Sequence, residues 1–230
     1  MEKRNKNGRS WFSNYLNSSI GKKQTMAVAG LLWIGFVVNH LIGNFPMVFS
    51  SDVFNLVANF YATNKVIMYS GEVILSFLLF LHGFQAIRLK LENNKARPQA
   101  YAVVKKKGKA GSASFTMIYT GITLLFFLVF HIYTFKYGTY IETTVDGVVM
   151  RDMYATVAES FSQAWYSAIY IVCMIAVGLH LSHGLQSAFQ TFGLNHTKYW
   201  GLISLSSKGL ALVVSLGNIG ITVVMFLKGA

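Results

Sequence analysis

One cysteine, eight acidic residues and a charged fraction of 12% are what this 230-residue chain has least of. A lone cysteine, Cys173, excludes a disulfide framework. The scarcity of charge, against 53% hydrophobic residues and a positive mean hydropathy, excludes an ordinary soluble domain. Period-two alternation is also missing from the long apolar runs, which argues against spanning strands. What remains is an all-α integral membrane protein.

A spanning helix needs about 20 mostly apolar residues. Five charge-poor segments meet that length, at about 26–48, 66–88, 114–136, 164–190 and 206–227. The sequence therefore predicts a single bundle of five transmembrane helices over 1–230. The first apolar run follows a polar segment of some 25 residues and lacks a small-residue cleavage site, so it is expected to stay in the protein as helix one. Residues 52–62 have apolar positions at helical spacing and predict a short interfacial helix, and residues 138–163 predict a polar cap.

Sixteen of the twenty Lys and Arg fall on one side of this arrangement. They comprise Lys3, Arg4, Lys6, Arg9, Lys22 and Lys23 before helix one, eight residues from Arg88 to Lys109 after helix two, and Lys198 and Lys208. The positive-inside rule then places the N-terminus in the cytoplasm. The formal charge of +12 has a topological and lipid-facing origin, confined to juxtamembrane loops, and does not call for nucleic acid.

Histidine is the informative residue type. Five of the six histidines lie inside predicted spans, enough for two pairs at matched depths. At 1.5 Å per residue, His40 lies about 21 Å from the cytoplasmic end of helix one and His131 about 25 Å along helix three, both in the outer half. Helices two and four run the other way. His82 is about 9 Å from the cytoplasmic boundary, and His180 and His183 are about 15 and 10 Å from it, in the inner half. Strongly polar side chains in hydrocarbon face a partner or a cofactor. Two imidazoles from two helices at one level suit the axial positions of a porphyrin, whereas zinc or copper wants three or four nearby ligands. Without a CxxCH motif any such haem is non-covalent, hence b-type. Depth alone leaves His180 and His183 both open. Gly30, Gly35, Gly83, Gly121, Gly178 and Gly184 make room for flat macrocycles or for close helix packing.

Further candidates follow from position. Lys23 and Gln24 at the start of helix one and Arg88 at the end of helix two are placed to meet the propionates of an inner haem. Glu72, the sole acid inside a predicted span, is about 9 Å from the outer boundary and near the level of His40 and His131, which makes it a functional candidate as an intramembrane acid. His196 falls in the last cytoplasmic loop. A haem-free proton-coupled transporter using the same histidines and Glu72 is the alternative from another class.

The stretches SSIGKKQ from Ser18, HLIGN from His40, HGFQAIR from His82, KARPQAY from Lys95 and HLSHGLQSAFQTFG from His180 closely resemble the b558 family of succinate dehydrogenase cytochrome b subunits. The resemblance implies a dihaem, single-chain membrane anchor in a bacterial cytoplasmic membrane. Its partners would be an iron-sulfur subunit, the flavoprotein subunit that subunit carries, and a membrane quinone of the menaquinone type, with Glu72 the candidate for the proton that quinone reduction consumes. It also implies His82 and His180 as ligands of the inner haem b and His40 and His131 as ligands of the outer one, leaving His183 beside the site. A dihaem cytochrome b serving another membrane dehydrogenase is the competing assignment.

Overall fold

The computed structural model describes residues 10–96 and 113–229. Of the residues used above to assign the faces, Lys3, Arg4, Lys6, Arg9, Arg97, Lys105, Lys106, Lys107 and Lys109 lie outside this range, as does most of the KARPQAY stretch.

Eight α-helices, a 3-10 turn and one hairpin make up the described chain: α1 (Trp11–Asn17), α2 (Ser19–Asn44), the turn Phe45–Val48, α3 (Ser51–Thr63), α4 (Lys65–Lys95), α5 (Ala113–Tyr137), β1 (Glu142–Val145), β2 (Val148–Arg151), α6 (Met153–Ser162), α7 (Ala164–Thr191) and α8 (Thr197–Gly229). Five of them, α2, α4, α5, α7 and α8, are long and apolar enough to cross a membrane. The expected five-helix, all-α architecture is therefore present. The helices alternate in direction, so α1 and the α7–α8 turn share one face, called the N-side, while α3, the hairpin and α6 form a cap on the other.

Helix ends differ from the sequence expectation in a consistent way. The first span begins at Ser19 rather than near 26, the second runs to Lys95 rather than 88, and the fifth begins at Thr197 rather than near 206. Hydropathy marks the edge of the hydrocarbon, but intrahelical hydrogen bonding continues until a cap stops it. Ser18 supplies one such stop, its hydroxyl accepting from the Gly21 N–H at 3.0 Å. On α7 the stop is Gly193 at φ +79°: its N–H donates to the Gln190 carbonyl and the Leu194 N–H to the Phe189 carbonyl, the paired bonds of a Schellman motif.

The interfacial helix expected at 52–62 is α3. The polar cap at 138–163 is more ordered than expected, because it contains strands as well as a helix. Asp146 and Gly147, at φ 51° and 78°, form the tight turn that pairs Val145 with Val148, and Val145 and Met150 point inward. The cap is fastened by side chains. Asn55 of α3, 2% exposed, donates to the Asp152 carboxylate at 3.0 Å and accepts from the Tyr154 N–H at 2.9 Å. Arg151 donates to the carbonyls of Phe135 (2.9 Å) and Thr139 (2.8 Å), covering the orphaned C-terminal end of α5.

Packing is uneven. α7 lies along α8, α2 along α4 and α5 along α7, and the main cluster of buried side chains sits under the cap around Met47, Phe54, Phe161, Tyr166, Tyr170 and Met225. Among the described residues, no packed seam joins α2 to α5, α4 to α7 or α4 to α5. α2 does pack on α7, so the interior gap lies between α2 and α5 and between α4 and α7, and the histidines project into it.

Candidate functional site

Across that gap the four histidines meet in two pairs. His40 and His131 are 5.7 Å apart between ring centroids, with planes at 83°. His82 and His180 are 6.2 Å apart, at 63°. Each pair joins helices that share no other packed seam, which is the arrangement expected where a ligand fills the space. Thr120 and His131 on α5 are eleven residues apart, and Tyr170 and His180 on α7 are ten apart, placing the two levels about 15 Å from one another along both helices.

The N-side pair is held by oxygen atoms. His82 Nδ1 lies 3.0 Å from the Met26 carbonyl, which accepts only, so the imidazole proton is on Nδ1 and Nε2 keeps a bare lone pair. The ring reaches that carbonyl because Gly30, one turn on, has no side chain: a Cβ there would sit 3.1 Å from His82 Cε1. On the facing helix His180 Nδ1 is 3.0 Å from the Thr120 hydroxyl. An apolar cavity of about 350 Å³ adjoins this level, lined by Ala29, Leu78, Leu81, Tyr15, Gln24 and Phe192 among others. Gln85, one turn beyond His82, is buried with its Oε1 unbonded.

The cap-side pair is held by aromatic rings. His40 stacks on Phe36 at 5.5 Å, and His131 contacts Phe127 and Phe135. His131 Nδ1 is 3.0 Å from the Tyr170 hydroxyl, which in turn accepts from Tyr166 at 3.2 Å. Trp33 Nε1–H donates to the Leu75 carbonyl at 3.2 Å and fixes α2 to α4 between the two levels.

The donor set suits a bis-imidazole porphyrin iron. Each level offers two imidazoles on opposing helices; at the N-side one Nδ1 is spent on a backbone carbonyl, and the intervening space is lined by apolar side chains. No group of three or more His, Cys, Asp or Glu side chains converges among the described residues, as a mononuclear zinc or copper site would require.

The remaining candidates are placed as follows. His183 is half-buried one turn beyond His180 and makes neither a hydrogen bond nor a ring contact among the described residues. His196 is exposed and caps α8, its Nδ1 accepting from the Lys198 N–H at 3.2 Å. Lys23 is exposed, and Gln24 accepts from the Tyr15 hydroxyl. Arg88 donates to Glu92 (3.2 Å) and Asn17 (3.0 Å). Glu72 pairs with Lys136 at 2.5 Å, both about 40% exposed, and this ion pair spans the cap-side mouth between α4 and α5. Of the expected glycines, Gly30 and Gly121 face His82 and His180, Gly178 packs on Ser215 of α8, and Gly35, Gly83 and Gly184 border open space.

Sequence reasoning missed several contributors. Lys22, not only Lys23, is the notable cation at the N-side: it is 5% exposed and donates to both oxygens of Glu92 at 2.6 Å. Thr120 and Tyr170 were also missed. The signal for them was present, since each lies about three turns from a histidine on the same helix and so shares its face at the other level.

A family model described as succinate dehydrogenase/fumarate reductase transmembrane subunit matches residues 92–217, more than half of the chain, including His131, Tyr170 and His180. Neither a curated protein nor a solved structure matches it.

Proposed function

Because the chain belongs to the family of succinate dehydrogenase/fumarate reductase transmembrane subunits, we propose that it is a two-haem membrane anchor of the cytochrome b558 kind, passing electrons between an iron-sulfur partner and a membrane quinone. The observation that carries this reading is the pair of imidazole couples at two levels, each bridging helices with no other packed seam. His82 and His180 would hold one haem b at the N-side, and His40 and His131 the other at the cap side. When bound, each haem supplies a one-electron carrier whose potential is tuned by its axial ligands, burial and surrounding hydrogen bonds.

The chain's own part is positional. The Met26 carbonyl, Thr120 and Tyr170 orient three of the four rings. Lys23, the amide nitrogen of Gln24 and Arg88 would serve as donors to the propionates of the N-side haem, and the Lys22–Glu92 pair clamps α2 to α4 at that end. Glu72, set beside Lys136 at the mouth between α4 and α5, would give or take the proton that quinone chemistry requires. The quinone, of the menaquinone type, would come laterally from the bilayer. The basic N-side would face the cytoplasm of a bacterium and dock the iron-sulfur subunit, which bears the flavoprotein with the succinate site.

The test is haem quantitation by pyridine haemochrome on the purified complex. Two haems b per chain, with a flavoprotein and an iron-sulfur subunit co-purifying, is the expected result. Colourless protein from haem-replete cells overturns the proposal and favours the proton-coupled transporter. Two haems with a different dehydrogenase attached overturns the succinate assignment alone.

A further inference from the structure

We propose that Thr120 of α5 is the positioning residue that fixes which ring nitrogen His180 turns toward His82, and so selects His180 over His183; this rests on reading the pair as axial ligands.

Thr120 is buried at 7% exposure, and its hydroxyl lies 3.1 Å from the Thr116 carbonyl and 3.1 Å from the Met117 carbonyl. A hydroxyl has one proton, and both carbonyls accept only. With that proton directed into the α5 backbone, the Thr120 oxygen faces His180 Nδ1, 3.0 Å away, as an acceptor. The imidazole must then carry its proton on Nδ1, which leaves Nε2 bare. His82 reaches the same state through the Met26 carbonyl, 3.0 Å from its Nδ1. Both rings at this level therefore present the lone pair that a metal needs.

Gly121, next along α5, lies against the same ring: a Cβ on it would be in ordinary van der Waals contact, 3.6 Å from His180 Cε1. His183, one turn along α7, has no hydrogen-bond partner of this kind among the described residues. Neither α7 nor α4 supplies the selecting atom: it comes from α5, the helix whose own histidine serves the other level.

The experiment compares Thr120→Val, Thr120→Ala and Thr120→Ser in the assembled complex, reading haem per chain, the reduction potential of each haem and their low-temperature spin-resonance signals. A valine keeps the shape and removes the acceptor, alanine favours the helix and cannot clash, and serine restores the hydroxyl. Losing a hydrogen bond to a ligating histidine weakens metal affinity by about 10–100-fold and makes the ligand less basic. Valine and alanine should therefore lower N-side haem retention by that factor, raise the potential of whatever N-side haem remains, and leave the cap-side haem unchanged; serine should reverse both effects. Wild-type retention, potential and resonance at the N-side haem in Thr120→Val or Thr120→Ala would overturn the proposal, even with both haems in place. A wild-type complex lacking haem would instead overturn the reading beneath it.

Discussion

At the N-side level both rings are anchored by oxygen acceptors, one a backbone carbonyl and one a hydroxyl whose proton is engaged elsewhere. At the cap-side level one ring meets a phenol that can either give or take a proton, and the other rests on a phenylalanine. The same four helices build both levels, so the difference comes from the residues around the rings. The N-side is hydrogen-bond-determined with sparse packing, and the cap side is packing-determined, next to the largest buried cluster. Hydrogen bonds fix a tautomer, whereas packing fixes a position.

The sharpest way to break the comparison is to remove the rings. His131→Ala should abolish the cap-side haem and spare the N-side one, while His180→Ala does the reverse and His183→Ala retains both, as read by haem per chain. Loss of the N-side haem in His183→Ala with His180→Ala intact would reassign the ligand. Next in size is Gly30→Val. Its side chain would occupy the place where His82 turns to reach the Met26 carbonyl, a Cβ alone lying 3.1 Å from Cε1, so N-side haem should fall by about 10-fold or more at unchanged cap-side content.

Tyr170→Phe probes the other side. It keeps the aromatic packing on Phe127 and Phe161 and deletes the hydroxyl beside His131. Because packing holds this level, the fold should lose only about 1 kcal/mol, the usual worth of a neutral hydrogen bond, while the potential of the cap-side haem moves. An unchanged cap-side potential would mean that the phenol does not tune the ring. The smallest structural effect is expected from Glu72→Gln. Its ion pair is exposed and worth at most about 1 kcal/mol, so thermal stability should barely change while quinone reductase activity drops with both haems retained. Unchanged turnover would remove Glu72 from the quinone reading.

Much of this molecule was legible in the sequence because depth in a membrane helix is a linear function of residue number. Counting matched His40 with His131 and left His82 opposite either His180 or His183, and the structure brings His40 to His131 and His82 to His180. Counting cannot tell which way a side chain turns, which is why His183 stayed open beside His180 and why Lys23 was named before Lys22. The ion pair of buried Lys22 with half-exposed Glu92 depends on the angle at which α2 crosses α4, and helical period alone does not encode that. The cap hairpin escaped for a different reason. Its two strands of four residues each are too short for alternation to register against the apolar spans on either side, although the Asp146–Gly147 dipeptide marked the turn.

α5 and α7 each contribute a histidine to one level and, at the other, the partner of the facing helix's histidine: Thr120 of α5 meets His180 and Tyr170 of α7 meets His131. Their axial alignment is therefore checked at two points about 15 Å apart. A helix docked one turn out, about 5.4 Å, forfeits both bonds in a single error. Insertion of these two spans thus has its own proofreading: on the two-haem reading, a misaligned chain would offer neither porphyrin a finished seat, and a correctly aligned one would offer both together.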